Sequence, residues 1–337
     1  MRPTLLKDTI VAMFRNGGTR ALCVTGAPGA GKTTLIKDTA ENDLGVPCIV
    51  KHMPTSLVED MGVPDLMTEG TTFGYKTPGW FPGKGTKYDD GRGGILCLDD
   101  RNQCGPDLQK VLAHIIQERD LHGIPMADGW MPISTGNREE DKAGSNRVLS
   151  HLADRESTVE FETHLDDWTS WAMDNGVNPL VVSFIRYRPG LLHDFDPQRP
   201  KNATPRGWSE GVAPIIGVVP KEAEYEMFKG AVGEGPAAEF VGFVKIYRDL
   251  PNPDAVLLNP EGADVPTDPA TLYALAGALA ERATPNNFGA LVTYTSRMPP
   301  EFSVLAVSYA IRKDKDEKLS NSEAFSTWAT THQDVLF

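Results

Sequence analysis

Cysteine is scarce: four in 337 residues, with no C-x-x-C pair, which excludes a disulfide scaffold and gives no zinc-ligand spacing. Cys23, Cys48 and Cys97 fall in apolar strand-like runs and Cys104 follows one, so core thiols in a reducing compartment are expected. No uninterrupted apolar run reaches the length of a membrane span, and Lys7 and Asp8 break the N-terminus where a signal peptide needs its apolar stretch. A cytoplasmic protein without a membrane partner is the expectation. Positive charge is also short, with 33 Lys plus Arg against 46 Asp plus Glu and a net charge of −13, which disfavours non-specific attraction to DNA or RNA. Nucleic acid is therefore not expected as a partner. Arg186, Arg188, Arg199, Lys201 and Arg206 come nearest to a basic patch, and they are scattered. There is no internal repeat and no low-complexity tract.

What is present is an ordinary globular composition, 23% charged and 40% hydrophobic, in a chain long enough for two domains. Up to about residue 162, short apolar runs alternate with helical patterns, the signature of a parallel sheet covered on both faces. The expected strands are 21–26, 47–52, 94–99, 131–136 and 157–162. Pro106 can open a helix whose Leu108, Val111, Leu112, Ile115 and Ile116 form one apolar stripe. Beyond residue 166 helical patterns dominate, at 168–173, 180–185, 237–244 and 272–279, separated by Pro- and Gly-rich loops. The expected fold class is thus α/β in a domain of residues 1–165, followed by a mainly α-helical domain of residues 166–337.

Residues Gly26, Ala27, Pro28, Gly29, Ala30, Gly31, Lys32 and Thr33 spell a complete phosphate-binding loop, between an apolar strand and a helix opened by Thr34. Its glycines let successive N–H groups converge on a phosphate, Lys32 can neutralise β- and γ-oxygens, and the Thr33 hydroxyl can hold Mg²⁺. ATP and Mg²⁺ are the implied ligands. The run Gly94-Ile-Leu-Cys-Leu-Asp99-Asp100 is an apolar strand ending in two carboxylates. Asp99 is the expected metal-side acid, and Asp100 would polarise the attacking water. Either feature alone could be a Gly-rich turn or an Asx-capped strand end. Together and in this order they point to nucleotide hydrolysis. A second strand, 131–136, ends in Asn137.

With these three motifs in order the chain resembles the AAA+ superfamily and, within it, the MoxR-type ATPases, particularly those encoded by tailed bacteriophages. The resemblance covers most of the chain. It implies a P-loop core with strand order 5-1-4-3-2 and an α-helical lid, with Asp99 acting on Mg²⁺ through water. Asn137 would be sensor 1, holding the attacking water. In the segment ending Leu-Ala-Asp-Arg155, Arg155 would be the arginine finger, and in Thr204-Pro-Arg206-Gly-Trp208, Arg206 would be sensor 2. The stretch 53–93, with Tyr75, Trp80 and Phe81, looks like the helix 2 insert, and residues 119–131, turning at Asp128-Gly129, look like the pre-sensor 1 hairpin. In the family both project toward the centre of a ring; the alternative for the aromatics is a small satellite core. The family further implies a homo-hexamer remodelling a protein client, often with a separate von Willebrand A-domain protein, here in a host cytoplasm if phage-encoded. One departure is Asp100, where the family usually has Glu. Two other readings stand beside this one: a nucleic-acid motor or loader, supported only by Lys76, Lys84, Lys87 and Arg92 of the insert, and a non-catalytic ATP-binding switch.

Overall fold

Strand parity organises the first unit. The computed structural model describes residues 1–18, 20–66, 74–141 and 148–332, and it divides the chain into Met1–His164 and Leu165–Phe337. In the first unit five parallel strands form one sheet: β1 (Ala21–Thr25), β2 (Cys48–His52), β3 (Gly94–Asp99), β4 (Trp130–Gly136) and β5 (Glu156–Glu160), in the order β2-β3-β4-β1-β5. Read from the other edge this is 5-1-4-3-2, the order of the AAA+ P-loop core. Strands buried on both faces are largely apolar, and β3 and β4, buried at every residue, are so apart from Asp99, Ser134 and Thr135 near their carboxyl ends. Alternation sends Ile95 and Cys97 of β3 to a core with Leu6 and Ile10 of helix α1 (Pro3–Arg15), and Leu96 and Leu98 to the opposite core. That second core contains Leu108, Leu112, Ile115 and Ile116 of the helix Pro106–Glu118. Pro132, opposite Leu96, removes one ladder donor from β4.

Two small hairpins leave this sheet. Val63–Asp65 pairs antiparallel with Gly74–Lys76 inside the insert, of which residues 67–73 lie outside the described residues. Asp120–Leu121 pairs with Ile124–Pro125. Here the structure corrects the sequence: the turn is His122-Gly123, both at positive φ (55° and 83°), not Asp128-Gly129. A two-residue loop with both residues left-handed matches the twist of adjacent strands. Asp128-Gly129 instead leads into β4, where Gly129 O accepts the Gly94 N–H at 3.2 Å. The insert aromatics divide as well. Phe81 is fully buried with Leu96, Leu98 and Leu112, so it packs in the core on one face of the sheet rather than in a small separate cluster, because an aromatic of this size gains most by leaving water. Trp80 is half-buried edge-on to Phe81 at 5.8 Å, and exposed Tyr75 stacks on His122 at 4.3 Å.

The second unit is helical, with a single bridge, Asp194 to Ala203, among the described residues. Its axis is the helix Pro269–Glu281, buried on almost every side, as its run of Ala and Leu requires. Beside it Phe184, Trp208, Phe228 and Phe240 interlock, with ring centroids 5.1 Å apart for Phe184–Phe240 and Phe228–Phe240 and 5.6 Å for Trp208–Phe240. No helix of the described residues is long and apolar enough to cross a membrane.

Candidate active site

The loop 26–31 joins β1 to helix α2 (Lys32–Asp38) at the carboxyl ends of the strands. Two of its glycines are obligatory. A Cβ on Gly26 would stand 2.7 Å from Phe161 O, and Gly31 has φ 103°, which only a residue without a side chain adopts cheaply. The first N–H groups of α2 have no intrahelical acceptor, and no side chain caps them, so Lys32, Thr33 and Thr34 present donors at the loop. The Lys32 side chain is buried and folds back over the loop, its Nζ donating to Gly26 O at 2.9 Å and Ala27 O at 3.0 Å. An ammonium held over a ring of backbone donors is where a phosphate oxygen gains most from charge.

The two acids follow from register. Asp99 is the direct partner of His52 on β2, and Leu98 of Ser134 on β4, which brings Thr135 beside Asp99. Asp99 Oδ1 accepts hydrogen bonds from the Thr33 hydroxyl and from Thr135 Oγ1 (2.8 Å), while Oδ2 lies 2.8 Å from His52 Nδ1. Asp100 then leaves the strand in the left-handed region, φ 53°, its N–H donating to Thr135 Oγ1 at 2.9 Å. That turn aims its carboxylate at Asn137, whose Nδ2 donates to Asp100 Oδ1 at 3.3 Å and whose Oδ1 accepts from Lys32 Nζ at 3.0 Å. The structure therefore gathers Lys32, Thr33, Asp99, Asp100 and Asn137 into one connected group.

Several members of this site carry no local motif. Thr135 and His52 are found only through strand order and register; a polar residue at the carboxyl end of a predicted strand was the available signal. Behind Asp100, Arg101 runs back beneath the sheet, donating from Nε to Cys23 Sγ (3.2 Å) and Ser134 Oγ (3.1 Å), with Nη2 2.9 Å from Glu156. Both partners of this ion pair are buried, and Ser134 also donates to Glu156. Burial pushes the Glu156 carboxyl above its ordinary range, opposed by the Arg101 charge and the Ser134 hydroxyl, and likewise pushes up the Cys23 thiol. Asn102 bonds the Asn137 peptide.

The two arginines stand elsewhere. Arg155 precedes β5, and Glu156 pairs with Ala21 at the start of β1, so Arg155 lies at the opposite end of the sheet from Gly26. Five strand residues intervene, about 16 Å at about 3.3 Å each. Its Nε donates to Gln117. Arg206 is in the second unit, exposed, with Nε 3.9 Å from Glu210, ahead of the fully buried Trp208.

A parallel sheet in this order, with a phosphate-type loop after β1 and two acids after β3, is the fold of a P-loop NTPase. No family model matches the chain, and no curated protein does. Among solved structures it is similar to NtrX from Brucella abortus in complex with ADP, at 16% identity over 71% of this chain and 65% of that one, TM-score 0.35. NtrX from the same organism in complex with ATP gives 12% identity, 98% and 68% coverage and TM-score 0.39. A RuvB mutant from Thermotoga maritima gives 15%, 81% and 79%, with TM-score 0.39. This chain thus covers slightly less than two thirds of the ADP-bound NtrX. Likeness at that level says nothing of activity, and the chemistry rests on the site itself.

Proposed function

We propose that this protein binds ATP with Mg²⁺ at residues 26–34 and hydrolyses it, as a MoxR-type AAA+ ATPase that works on a protein client. The observation that carries the reading is the unbroken chain of contacts from Lys32 through Asn137 to Asp100, beside the Thr33–Asp99 pair. A hydroxyl and a carboxylate in contact are the hard oxygen donors that Mg²⁺ prefers, so Thr33, with Asp99 behind a water, fits that ion. Bound there, Mg²⁺ would neutralise charge on β- and γ-phosphate oxygens. Lys32 would exchange a loop carbonyl for a phosphate oxygen. Asp100 Oδ1 would take a proton from the attacking water, and Asn137 Nδ2, already directed at that carboxylate, would hold the water in line. Arg155, remote from its own loop, would serve as finger to a neighbouring subunit in a ring, and Arg206 would act as sensor 2 on a lid. The ring, taken as hexameric, the client and a separate von Willebrand A-domain partner rest on the resemblance of the motifs.

The basic residues behind the nucleic-acid reading have close neighbours. Lys76 pairs with Asp65 at 3.6 Å, Lys84 with Asp128 at 3.2 Å and Arg92 with Asp90 at 2.6 Å, while Lys87 lies over Tyr88 at 4.8 Å. These exposed pairs are weak, and the net charge of −13 is what disfavours this reading. The switch reading keeps one point in its favour, the shorter reach of Asp100. Phosphate release from ATP with Mg²⁺ separates the two: steady release abolished by Asp100→Asn is expected, and tight ATP binding without release would establish the switch instead.

A further inference from the structure

We infer that Asn102, which belongs to no nucleotide motif of the sequence, is a positioning residue for the carboxamide of Asn137. Its buried side chain meets the Asn137 peptide at two points: Nδ2 donates to Asn137 O at 2.7 Å, and Oδ1 accepts the Asn137 N–H at 3.2 Å. A primary amide paired in this way with the N–H and C=O of one residue reproduces the residue pairing of an antiparallel ladder and holds both peptide planes that flank the Asn137 Cα. Only two side-chain torsions then separate the held Cα from the carboxamide that reaches Lys32 Nζ at 3.0 Å and Asp100 Oδ1 at 3.3 Å.

Three further features support a built clamp. The turn that carries Asn102 also carries Asp100, whose O accepts the Gln103 N–H at 2.9 Å, so clamp and acid share one rigid piece. The same turn is pinned to β4 by the Arg101 N–H on Thr135 O at 2.9 Å. Gly136 provides the space: a Cβ there would stand 3.1 Å from Asn102 Oδ1 and 3.4 Å from its Cγ. Lys32 also donates to Gly26 O and Ala27 O, two loop contacts that do not involve Asn102.

The inference rests on the hydrolysis reading, and a double-mutant cycle tests it. Asn102→Asp keeps size and one acceptor but sets an oxygen against Asn137 O. Gly136→Ala leaves both asparagines intact and crowds the clamp. Each should lower kcat by about 10–100-fold, the usual effect of removing a partner that orients a functional group, while ADP affinity changes by less than about twofold. Combined with Asn137→Ala, neither should add to the loss that Asn137→Ala causes alone, because the clamp acts only through that side chain. Melting temperature, followed in parallel, identifies a variant that fails to fold. Additive losses in the cycle, unchanged kcat in both variants, or ADP affinity falling as far as kcat would each overturn the clamp. If the unsubstituted protein binds ATP without hydrolysing it, the hydrolysis reading alone fails. The cycle is then read on the affinity for a non-hydrolysable ATP analogue relative to ADP, where additivity again overturns it.

Discussion

The two units differ in where their buried polar groups gather. In the first, Lys32, Asp99, Arg101, Asn102, Ser134, Thr135, Asn137 and Glu156 are all buried, and all belong to one network beneath and beside the loop. In the second, buried polar groups are dispersed, some paired locally, as in Glu224 bound through both oxygens by Arg248 at 2.7 and 2.9 Å, or Trp328 Nε1 on Ser303 Oγ at 2.9 Å. The rest of that core is aromatic and aliphatic. Clustering charges and amides where water is thin strengthens each interaction and makes each missing partner costly. Aromatic packing stabilises without that risk. The first unit therefore commits stability to chemistry, and the second keeps stability separate from it.

The comparison breaks first at Asp100. Asp100→Asn should reduce ATP turnover by about 10²–10⁴-fold, the range for a general base, with affinity nearly intact, whereas Lys32→Ala should lose affinity. Calorimetric titration of both variants checks this, and equal affinity losses would mean that the acids and the loop are not functionally separate. In the second unit Phe240→Ala should lower unfolding free energy by about 3–5 kcal/mol in a denaturant melt. A cost below about 1 kcal/mol would show that this aromatic core is not what holds the helices.

Within the first unit the insert sharpens the contrast. Phe81→Ala should destabilise by about 3 kcal/mol, while Tyr75→Ala, at an exposed ring, should cost less than about 0.5 kcal/mol and reduce client processing if Tyr75 meets the client. A large melting shift for Tyr75→Ala would place it with the packing residues. The smallest signal is expected from mixing. Arg155→Ala and Asp100→Asn should each be inactive, yet a randomly mixed ring pairs an intact Asp100 with an intact neighbouring Arg155 at roughly one interface in four. Absence of recovery despite demonstrated exchange would mean that Arg155 has no role across an interface.

How much of this was legible in the sequence depends on how far apart the cooperating residues lie. The phosphate loop reads directly because a strand, a tight turn and a helix start must be contiguous. Asp99, Asp100 and Asn137 read as strand ends, and strand position alone carries them to the site. Thr135, His52 and Asn102 did not, because their neighbours come from parallel strands whose register no local pattern states: His52 faces Asp99 only once β2 is known to lie beside β3. The hairpin misled for a different reason. Asp128-Gly129 and His122-Gly123 both offer a glycine after a residue tolerant of positive φ, and the short ladder of residues 120–121 with 124–125 decides between them.

The Arg101–Glu156 pair has a mechanical meaning. Arg101 follows Asp100 in the chain and Glu156 follows Arg155, so one buried ion pair ties the acid at one end of the sheet to the arginine at the other. Pulling the pair apart would strand a charge without water, a penalty of about 3–5 kcal/mol. Small displacements at either end are cheaper than that, so they should pass along the guanidinium as along a strut. The turn carrying Asp100 and the start of β5 are thus joined by a single side chain that passes Ser134 of β4 and Cys23 of β1.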